Sequence, residues 1–130
     1  MKILLDTNVL ISAFITHGGH SQEILMHAVH AHTLYTTDFI LNEFQGKLKK
    51  KFRFSPEPVR RFVEFLDHFF QHGKTASLIP AVCRDPEDDQ ILADAVLNDV
   101  DLILTGDQDL LVLKNHRGIR ILHPRDYWFL

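Results

Sequence analysis

The sequence predicts an α/β fold in which a central, mostly parallel sheet of four to five strands is flanked by helices as a three-layer sandwich. Short continuous apolar runs, such as Ile3–Leu5 and Leu102–Leu104, are typical of strands that are buried on both faces. Segments with apolar residues at helical spacing alternate with these runs, an order that favours parallel strands joined by helical crossovers. The chain has 130 residues and no repeat or linker, so we expect one domain over residues 1–130.

Capping residues set the element boundaries in the first half of the chain. Thr7 or Asn8 can cap a helix that runs to Phe14, and the glycine-containing stretch His17–His20 ends it. Ser21 can cap the next helix, whose apolar residues recur at helical spacing. The strands and helices predicted for this half lie at residues 3–5, 7–14, 21–29, 33–36 and 38–51.

Proline, glycine and aspartate mark the boundaries in the second half. Ser55 can cap a helix with Pro56 at its first position, and Gly73 ends that helix. Asp85 can cap a helix that begins at Pro86, whereas residues 78–80 are expected to form a loop or a short edge strand. The remaining elements are a helix to about residue 98, a strand at 102–104, a short helix at 107–113 and a strand at 119–122.

Composition indicates a globular protein of the cytoplasm that does not enter a membrane. Hydrophobic residues make up 45% of the chain and charged residues 24%. No apolar run approaches the roughly 18 to 20 residues that span a bilayer. The single cysteine, Cys83, excludes an internal disulfide bond and fits a reducing compartment.

Charge is distributed unevenly, although the net charge of −3 does not by itself predict binding to nucleic acid. Acids dominate the C-terminal half, and a basic stretch lies in the middle of the chain. That stretch is either a solvated helix face or a surface that contacts RNA phosphates without regard to sequence. Its candidate RNA-binding residues are Lys47, Lys49, Lys50, Lys51 and Arg53.

Two aspartates follow buried strands. Asp6 comes directly after Ile3–Leu5, and Asp107 comes three residues after Leu104. Ligand and catalytic sites of parallel sheets lie at the carboxyl ends of the strands, so both carboxylates are candidates for one site. Each could instead cap the helix that follows it, and for Asp6 alone the two interpretations are evenly balanced.

Asp89 is the most informative acid. Asp85, Glu87 and Asp88 are explained as a helix cap and first-turn acids, which the positive end of the helix dipole stabilises. Asp89 shares the apolar helix face with Leu92, and a buried lone carboxylate costs several kcal/mol unless it is compensated. An arginine, a set of backbone amides or a metal ion could compensate it, and we favour a functional role.

Glu43 completes a possible acidic site at one edge of the sheet. It lies at the edge of the apolar stripe of its own helix, where a solvated position is the simpler interpretation when it is taken alone. Two unit charges about 5 Å apart repel by roughly 3 kcal/mol at an effective dielectric of 20, so a cluster of carboxylates calls for cations. Mg²⁺ or Mn²⁺ suits oxygen ligands of this kind. The candidate ligands and catalytic residues are Asp6, Glu43, Asp89 and Asp107.

Four motifs follow one another along the chain at fitting spacing. They are Leu4–Leu10 (LLDTNVL), Asp38–Glu43 (DFILNE), Arg84–Asp89 (RDPEDD) and Leu104–Leu111 (LTGDQDLL). Together they resemble PIN-domain ribonucleases, and among these the VapC-like branch of toxins of toxin–antitoxin systems. The resemblance extends over nearly the whole chain and includes its closing segment, residues 121–127.

The resemblance implies a PIN-like fold and a metal-dependent ribonuclease that uses Mg²⁺ or Mn²⁺, with the four acids above as its acidic core. It also implies accessory roles for Asn8, Thr105 and Asp109, a homodimer, and an antitoxin protein that blocks the site. Asp94 departs from the family, which more often has a small apolar residue there. It lies about 140° from Asp89 around the helix at 100° per residue, so we do not count it as a ligand.

Three functions therefore compete. The first is metal-dependent hydrolysis of RNA phosphodiester bonds. The second is an RNA-binding or regulatory PIN module with little cleavage, against which the complete acidic set argues. The third is a phosphoryl-transfer domain of the haloacid type, which uses two aspartates spaced by one residue, whereas Asp6-Thr7-Asn8 lacks the second acid. Phenylalanines such as Phe62, Phe65 and Phe69 cover more than one face of their helix, which indicates a further buried surface such as a dimer interface.

Overall fold

The computed structural model, which describes residues 1–16 and 18–130, is built on a six-stranded sheet in the order β3-β2-β1-β4-β6-β5. All neighbouring pairs are parallel except β5 and β6, which form an antiparallel ribbon at one edge. The central strands β1 and β4 are almost completely buried, as their continuous apolar sequences predict. The strands are β1 (Lys2–Leu5), β2 (Thr33–Thr37), β3 (Gln71–Gly73), β4 (Leu102–Leu104), β5 (Asn115–His116) and β6 (Ile119–Leu122).

In the described part of the chain, six α-helices and a closing 3₁₀ helix surround this sheet. Right-handed crossovers between parallel strands put the helices before β3 on one face and the helix between β3 and β4 on the other. The predicted α/β fold, with helices flanking a mostly parallel sheet, is therefore confirmed. The helices are α1 (Thr7–Ile15), α2 (His20–Ala31), α3 (Asp38–Lys50), α4 (Pro56–Phe69), α5 (Pro86–Leu97) and α6 (Gln108–Leu111), followed by the 3₁₀ helix (Pro124–Phe129).

The sheet has one or two strands more than predicted, because two short strands carry no hydrophobic signal. β3 pairs with β2 through its backbone, and β5 is a two-residue strand paired with β6. Helix α4 consequently ends at Phe69, earlier than the predicted stop at Gly73, and residues 78–80 are loop. Helix α2 begins at His20 with Gly19 as its N-cap, not with Ser21. The predicted break at residues 17–20 includes His17, which lies outside the described residues.

The phenylalanines of α4 pack within the chain. The ring of Phe14 on α1 lies 5.0 Å from Phe62, 5.4 Å from Phe65 and 5.6 Å from Phe44 between centroids. Phe62 and Phe65 are half-buried against the core, whereas Phe69 remains 42% exposed. This aromatic cluster joins α1, α3 and α4 into one layer, and a dimer interface over α4 stays a prediction.

Asp94 is a completely buried carboxylate that ties three segments together. It accepts hydrogen bonds from the Thr37 hydroxyl at 2.8 Å, the Ala76 amide at 2.7 Å and the Gln90 side chain at 2.8 Å. Thr37 is also the N-cap of α3, since its hydroxyl oxygen accepts a hydrogen bond from the Ile40 amide. One side chain of α5 therefore fixes the start of α3 and the loop after β3.

Within residues 1–16 and 18–130, no helix has both the length and the apolar character needed to cross a bilayer.

Replacing Asp94 by alanine should lower the free energy of unfolding by about 3 kcal/mol, because three donors lose their acceptor and each unsatisfied buried group costs about 1–3 kcal/mol. The measurement is urea unfolding followed by circular dichroism. Asp67→Ala is the control, since Asp67 is exposed and pairs with the half-exposed His72. That variant should change stability by less than about 0.5 kcal/mol. Equal losses in both variants would contradict the structural role of Asp94.

Candidate active site

Asp6 stands at the carboxyl end of β1, and its side chain points into the site. It occupies the N-cap position of α1, but its carboxylate makes no capping hydrogen bond. Instead the Thr105 hydroxyl donates to Asp6 Oδ2 at 2.7 Å. Asp6 is 8% exposed, and burial, together with the nearby charges of Glu43 and Asp107, raises its pKa. The capping alternative is therefore excluded for this side chain.

The end of the neighbouring strand β4 supplies the second part of the site. The buried Thr105 hydroxyl, which donates to Asp6, also accepts a hydrogen bond from the Asp107 amide at 3.0 Å. Asp107 Oδ1 caps α6 by accepting from the Asp109 amide at 2.8 Å. Asp107 thus combines the predicted capping role with a place in the pocket. Thr105 links the two predicted aspartates, as an accessory residue would.

Asp88 is the acid that the sequence-based prediction missed. It lines the same pocket as Asp6 and Asp107, and it is 6% exposed. Its Oδ2 atom is buried without a hydrogen-bond partner among the described residues. Burial, followed by the charges of Asp107, Asp85 and Asp6, raises the pKa of Asp88 to about 7. A buried carboxylate in this state is compensated only by a proton or by a cation.

Asp89, which we predicted as a ligand, does not line the acidic pocket. Its Oδ1 accepts hydrogen bonds from the backbone amides of Val82 at 3.0 Å and Cys83 at 2.7 Å. Backbone amides were one of the three kinds of partner that we expected could compensate the buried charge of Asp89. Asp89 therefore anchors the loop that precedes α5. Its neighbour Asp88 lines the pocket, where Asp89 was expected.

Glu43 lines the pocket from α3, as predicted, beside Glu87 of α5. The Glu43 carboxyl raises the pKa of Glu87 through a shared hydrogen bond, to which burial adds. Asn8 also lines the pocket, and its Oδ1 accepts a hydrogen bond from Lys47 Nζ at 3.3 Å. Asp85, the N-cap of α5, completes the lining.

Asp109 lies beside the pocket instead of lining it. The Arg84 guanidinium donates to Asp109 Oδ1 at 2.7 Å. One ligand atom from each of Asp88, Asp107 and Asp109 falls within 4.8 Å of the others. These three carboxylates form the grouping best spaced for a cation among the residues that the structure describes.

The pocket is small and strongly acidic. Its volume is about 100 Å³, and six carboxylates line it against a single described cation, Lys47. This donor set consists of hard oxygen ligands, and the Asp88 carboxylate among them has an oxygen, Oδ2, that has no hydrogen-bond partner among the described residues. The residues present therefore fit a divalent cation such as Mg²⁺ or Mn²⁺.

A larger groove of about 510 Å³ lies on the other side of Asp89. Apolar residues of α5, including Leu92, Val96 and Leu97, make up much of its wall. It lacks the convergent carboxylates, so the smaller pocket is the candidate active site.

The basic stretch begins at this pocket and leads away from it. Lys47 lines the pocket, whereas Lys49, Lys50, Lys51 and Arg53 are exposed around the end of α3. Phe52 is 37% exposed, and the Lys51 ammonium lies 5.6 Å from its ring centroid, while Phe54 packs against the core. The stretch is thus a solvent-facing cationic surface next to the acids.

Comparison with solved structures shows where this fold occurs. VapBC2 from Rickettsia felis, in complex with a promoter DNA fragment, matches with a TM-score of 0.68 and 15% identity over 95% of this chain and 98% of that one. FitAcB from Neisseria gonorrhoeae matches with a TM-score of 0.64 and 17% identity over 98% and 99% of the two chains. The Mycobacterium tuberculosis toxin VapC20, which cleaves the sarcin–ricin loop, matches with a TM-score of 0.62 and 11% identity over 91% and 98%.

Sequence comparison identifies the family. No match was found among curated protein sequences. The PIN domain family model, however, matches residues 2–109, which include β1, α3, α5 and β4, the elements that carry the acidic pocket. The solved structures share the same fold, so the resemblance expected from the four motifs is confirmed. The chain belongs to the PIN domain family.

Proposed function

We propose that the protein is an endoribonuclease that hydrolyses RNA phosphodiester bonds with the help of Mg²⁺ or Mn²⁺. The Asp88 carboxylate carries this proposal, because it has a buried oxygen without a hydrogen-bond partner and belongs to a pocket that five other carboxylates line. Such a pocket is costly to keep charged without cations. Membership of the PIN domain family supports the same activity.

Asp6, Asp88 and Asp107 are the proposed cation ligands, and Glu43 closes the pocket from the side of α3. Thr105 keeps Asp6 Oδ2 and the backbone of Asp107 in fixed positions, so that these ligands need little rearrangement. When bound, the divalent ion supplies electrophilic assistance to phosphoryl transfer and a more acidic water. Lys47 and Asn8 lie at the rim, where a phosphate group can meet a cation and an amide.

RNA is the proposed substrate because a cationic surface adjoins the acids. Lys49, Lys50, Lys51 and Arg53 extend from Lys47 over the exposed end of α3, where they can contact successive phosphates. The structural relative VapC20 is a toxin that cleaves an RNA loop, which favours RNA over DNA as the substrate. An RNA-binding module with little cleavage is the alternative, since it needs only the cationic surface.

A small antitoxin protein is the proposed partner. The structural relative VapC20 is a toxin, and the resemblance to VapC-like toxins implies an antitoxin, which supports a toxin role for this chain in the cytoplasm. A homodimer is proposed with the aromatic residues of α4 at its interface, and Phe69 is the exposed member of that cluster.

Asp6→Asn and Asp88→Asn should each lower Mg²⁺-dependent cleavage of a labelled RNA at least about a hundredfold, because each removes a charged ligand. Asp89→Asn is the matched control. Its amide oxygen can still accept from the Val82 and Cys83 amides, so cleavage should stay within about threefold of the parent.

A loss of activity in Asp89→Asn equal to that in Asp88→Asn would contradict the assignment of roles on α5. Salt-dependent RNA binding by the parent without Mg²⁺-dependent products would favour the binding module.

Without divalent ions, Asp88 should make stability fall as the pH rises from about 4 to about 7. The folded protein keeps the Asp88 proton up to about pH 7, whereas the unfolded chain loses it near the ordinary value of 3.8. The folded state binds the extra proton in this window, so the free energy of unfolding decreases with rising pH. Asp88→Asn, which cannot ionise, should be increasingly more stable than the metal-free parent across it.

The measurement is urea unfolding of metal-stripped parent and Asp88→Asn at several pH values, with Asp67→Asn as an exposed control. Added Mg²⁺ at pH 7.5 should stabilise the parent more than Asp88→Asn. A stability difference that does not change with pH would mean that the Asp88 carboxyl is neither buried nor held near the other acids.

Replacing Lys50 and Lys51 together by alanine should weaken RNA binding and lower the slope of log K against log salt by about 0.7 for each phosphate that the variant no longer neutralises. Fluorescence anisotropy in an Asp6→Asn background, which leaves the RNA uncut, provides the measurement. The double variant Arg120→Ala/Arg125→Ala removes two exposed cations elsewhere and should leave the slope unchanged. Identical slopes in the two double variants would indicate a merely solvated helix face.

A further inference from the structure

We propose that Arg84 is a substrate-binding residue that contacts a phosphate beside the scissile bond. When substrate and cation are absent, its guanidinium pairs with Asp109 instead. This inference rests on the proposed function and adds a residue to it. It follows from four features of Arg84, which are its anchored backbone, its exposed side chain, its partner and its position relative to Lys47.

The backbone on both sides of Arg84 is fixed. The amides of Val82 and Cys83 donate to Asp89 at 3.0 and 2.7 Å, so the loop is anchored just before Arg84. Asp85, which follows directly, caps α5 by accepting from the Glu87 amide at 2.9 Å. The buried carboxylate of Asp89 therefore fixes the backbone at Arg84, which keeps the start of the Arg84 side chain beside the pocket.

The Arg84 side chain itself is free to move. It is 87% exposed, and its one hydrogen bond among the described residues is the 2.7 Å contact of Nη2 with Asp109 Oδ1. Exposed ion pairs contribute little to stability, so the fold does not require this contact. A long side chain on a fixed backbone can exchange one anionic partner for another at small cost.

The partner of Arg84 is one of three carboxylates whose spacing fits a cation, and the other two are proposed ligands. Asp109 offers a ligand atom within 4.8 Å of atoms from Asp88 and Asp107. Arg84 thus places a positive charge on a carboxylate that a divalent ion would also attract, and the two cations compete for it. A planar guanidinium released from Asp109 can bind a phosphate through two parallel hydrogen bonds.

Arg84 and Lys47 approach the acids from different sides. Lys47 bonds Asn8 and lies near Glu43 and Glu87, whereas Arg84 lies on the side of Asp109. A nucleic-acid strand whose scissile phosphate lies over the acids would therefore present one flanking phosphate to each cation. Contacts of this kind position the backbone of a strand without reading its bases.

The test combines steady-state kinetics with metal titration on four proteins, which are the parent, Arg84→Gln, Arg84→Lys and the control Arg61→Gln on an exposed face of α4. Arg84→Gln should raise KM for a single-stranded RNA about tenfold and leave kcat within about twofold. Without RNA, it should bind Mn²⁺ about threefold more tightly by electron paramagnetic resonance, because no guanidinium competes for Asp109. Arg84→Lys should keep the Mn²⁺ affinity of the parent and recover part of the KM, and Arg61→Gln should change neither quantity.

An unchanged KM in Arg84→Gln, in a parent that cleaves RNA, would overturn the phosphate contact. Weaker Mn²⁺ binding by Arg84→Gln would overturn the competition, because Arg84 would then be holding the carboxylates in place. A parent that does not cleave RNA with Mg²⁺ would instead refute the proposed function, and the phosphate contact with it. The Mn²⁺ titration decides the competition for Asp109 in every case.

Discussion

The parallel pairing of β1 with β4 is the constraint on which the site depends. Leu5 lies opposite Leu104 in the register, and the Asp6 amide continues the ladder by donating to the Leu104 carbonyl at 3.0 Å. The two chain segments leave the sheet side by side, which allows the Thr105 hydroxyl to reach Asp6. A register shift of one residue would turn these side chains to opposite faces and would separate them.

The acidic side chains of helix α5 make different contacts, although they are close together in the sequence. Glu87 and Asp88 line the pocket, Asp89 accepts from two loop amides, and Asp94 accepts from three donors inside the protein. Successive residues point about 100° apart around the helix axis, so adjacent carboxylates meet unrelated surroundings. Along one short segment, buried charge is therefore compensated by backbone amides at Asp89 and by hydroxyl and amide donors at Asp94, and a cation is the proposed compensation at Asp88.

Much of the fold could be predicted from the sequence, because hydrophobic runs and capping residues mark the main elements. Strands β3 and β5 could not, since their pairing uses backbone atoms and their side chains leave no pattern. The position of Asp89 on an apolar helix face indicates correctly that this buried acid needs a partner. Which of the three kinds of partner it has could not be predicted, because the loop at residues 82 and 83 returns to the helix through a contact that local periodicity does not encode. In the sequence Asp88 has the position of an ordinary first-turn acid, and only the pocket at the carboxyl ends of β1 and β4 gives it another role.

Activity measurements alone would assign the wrong role to Asp94. Its hydrogen bonds connect the start of α3, which carries Glu43, with the loop that leads to Arg84 and with the helix that carries Asp88. An activity screen alone would class Asp94 as a catalytic acid, although its carboxylate is completely buried and the pocket lining does not include it. To distinguish structural from catalytic carboxylates in such a helix, both the stability and the turnover of a variant at each carboxylate have to be measured.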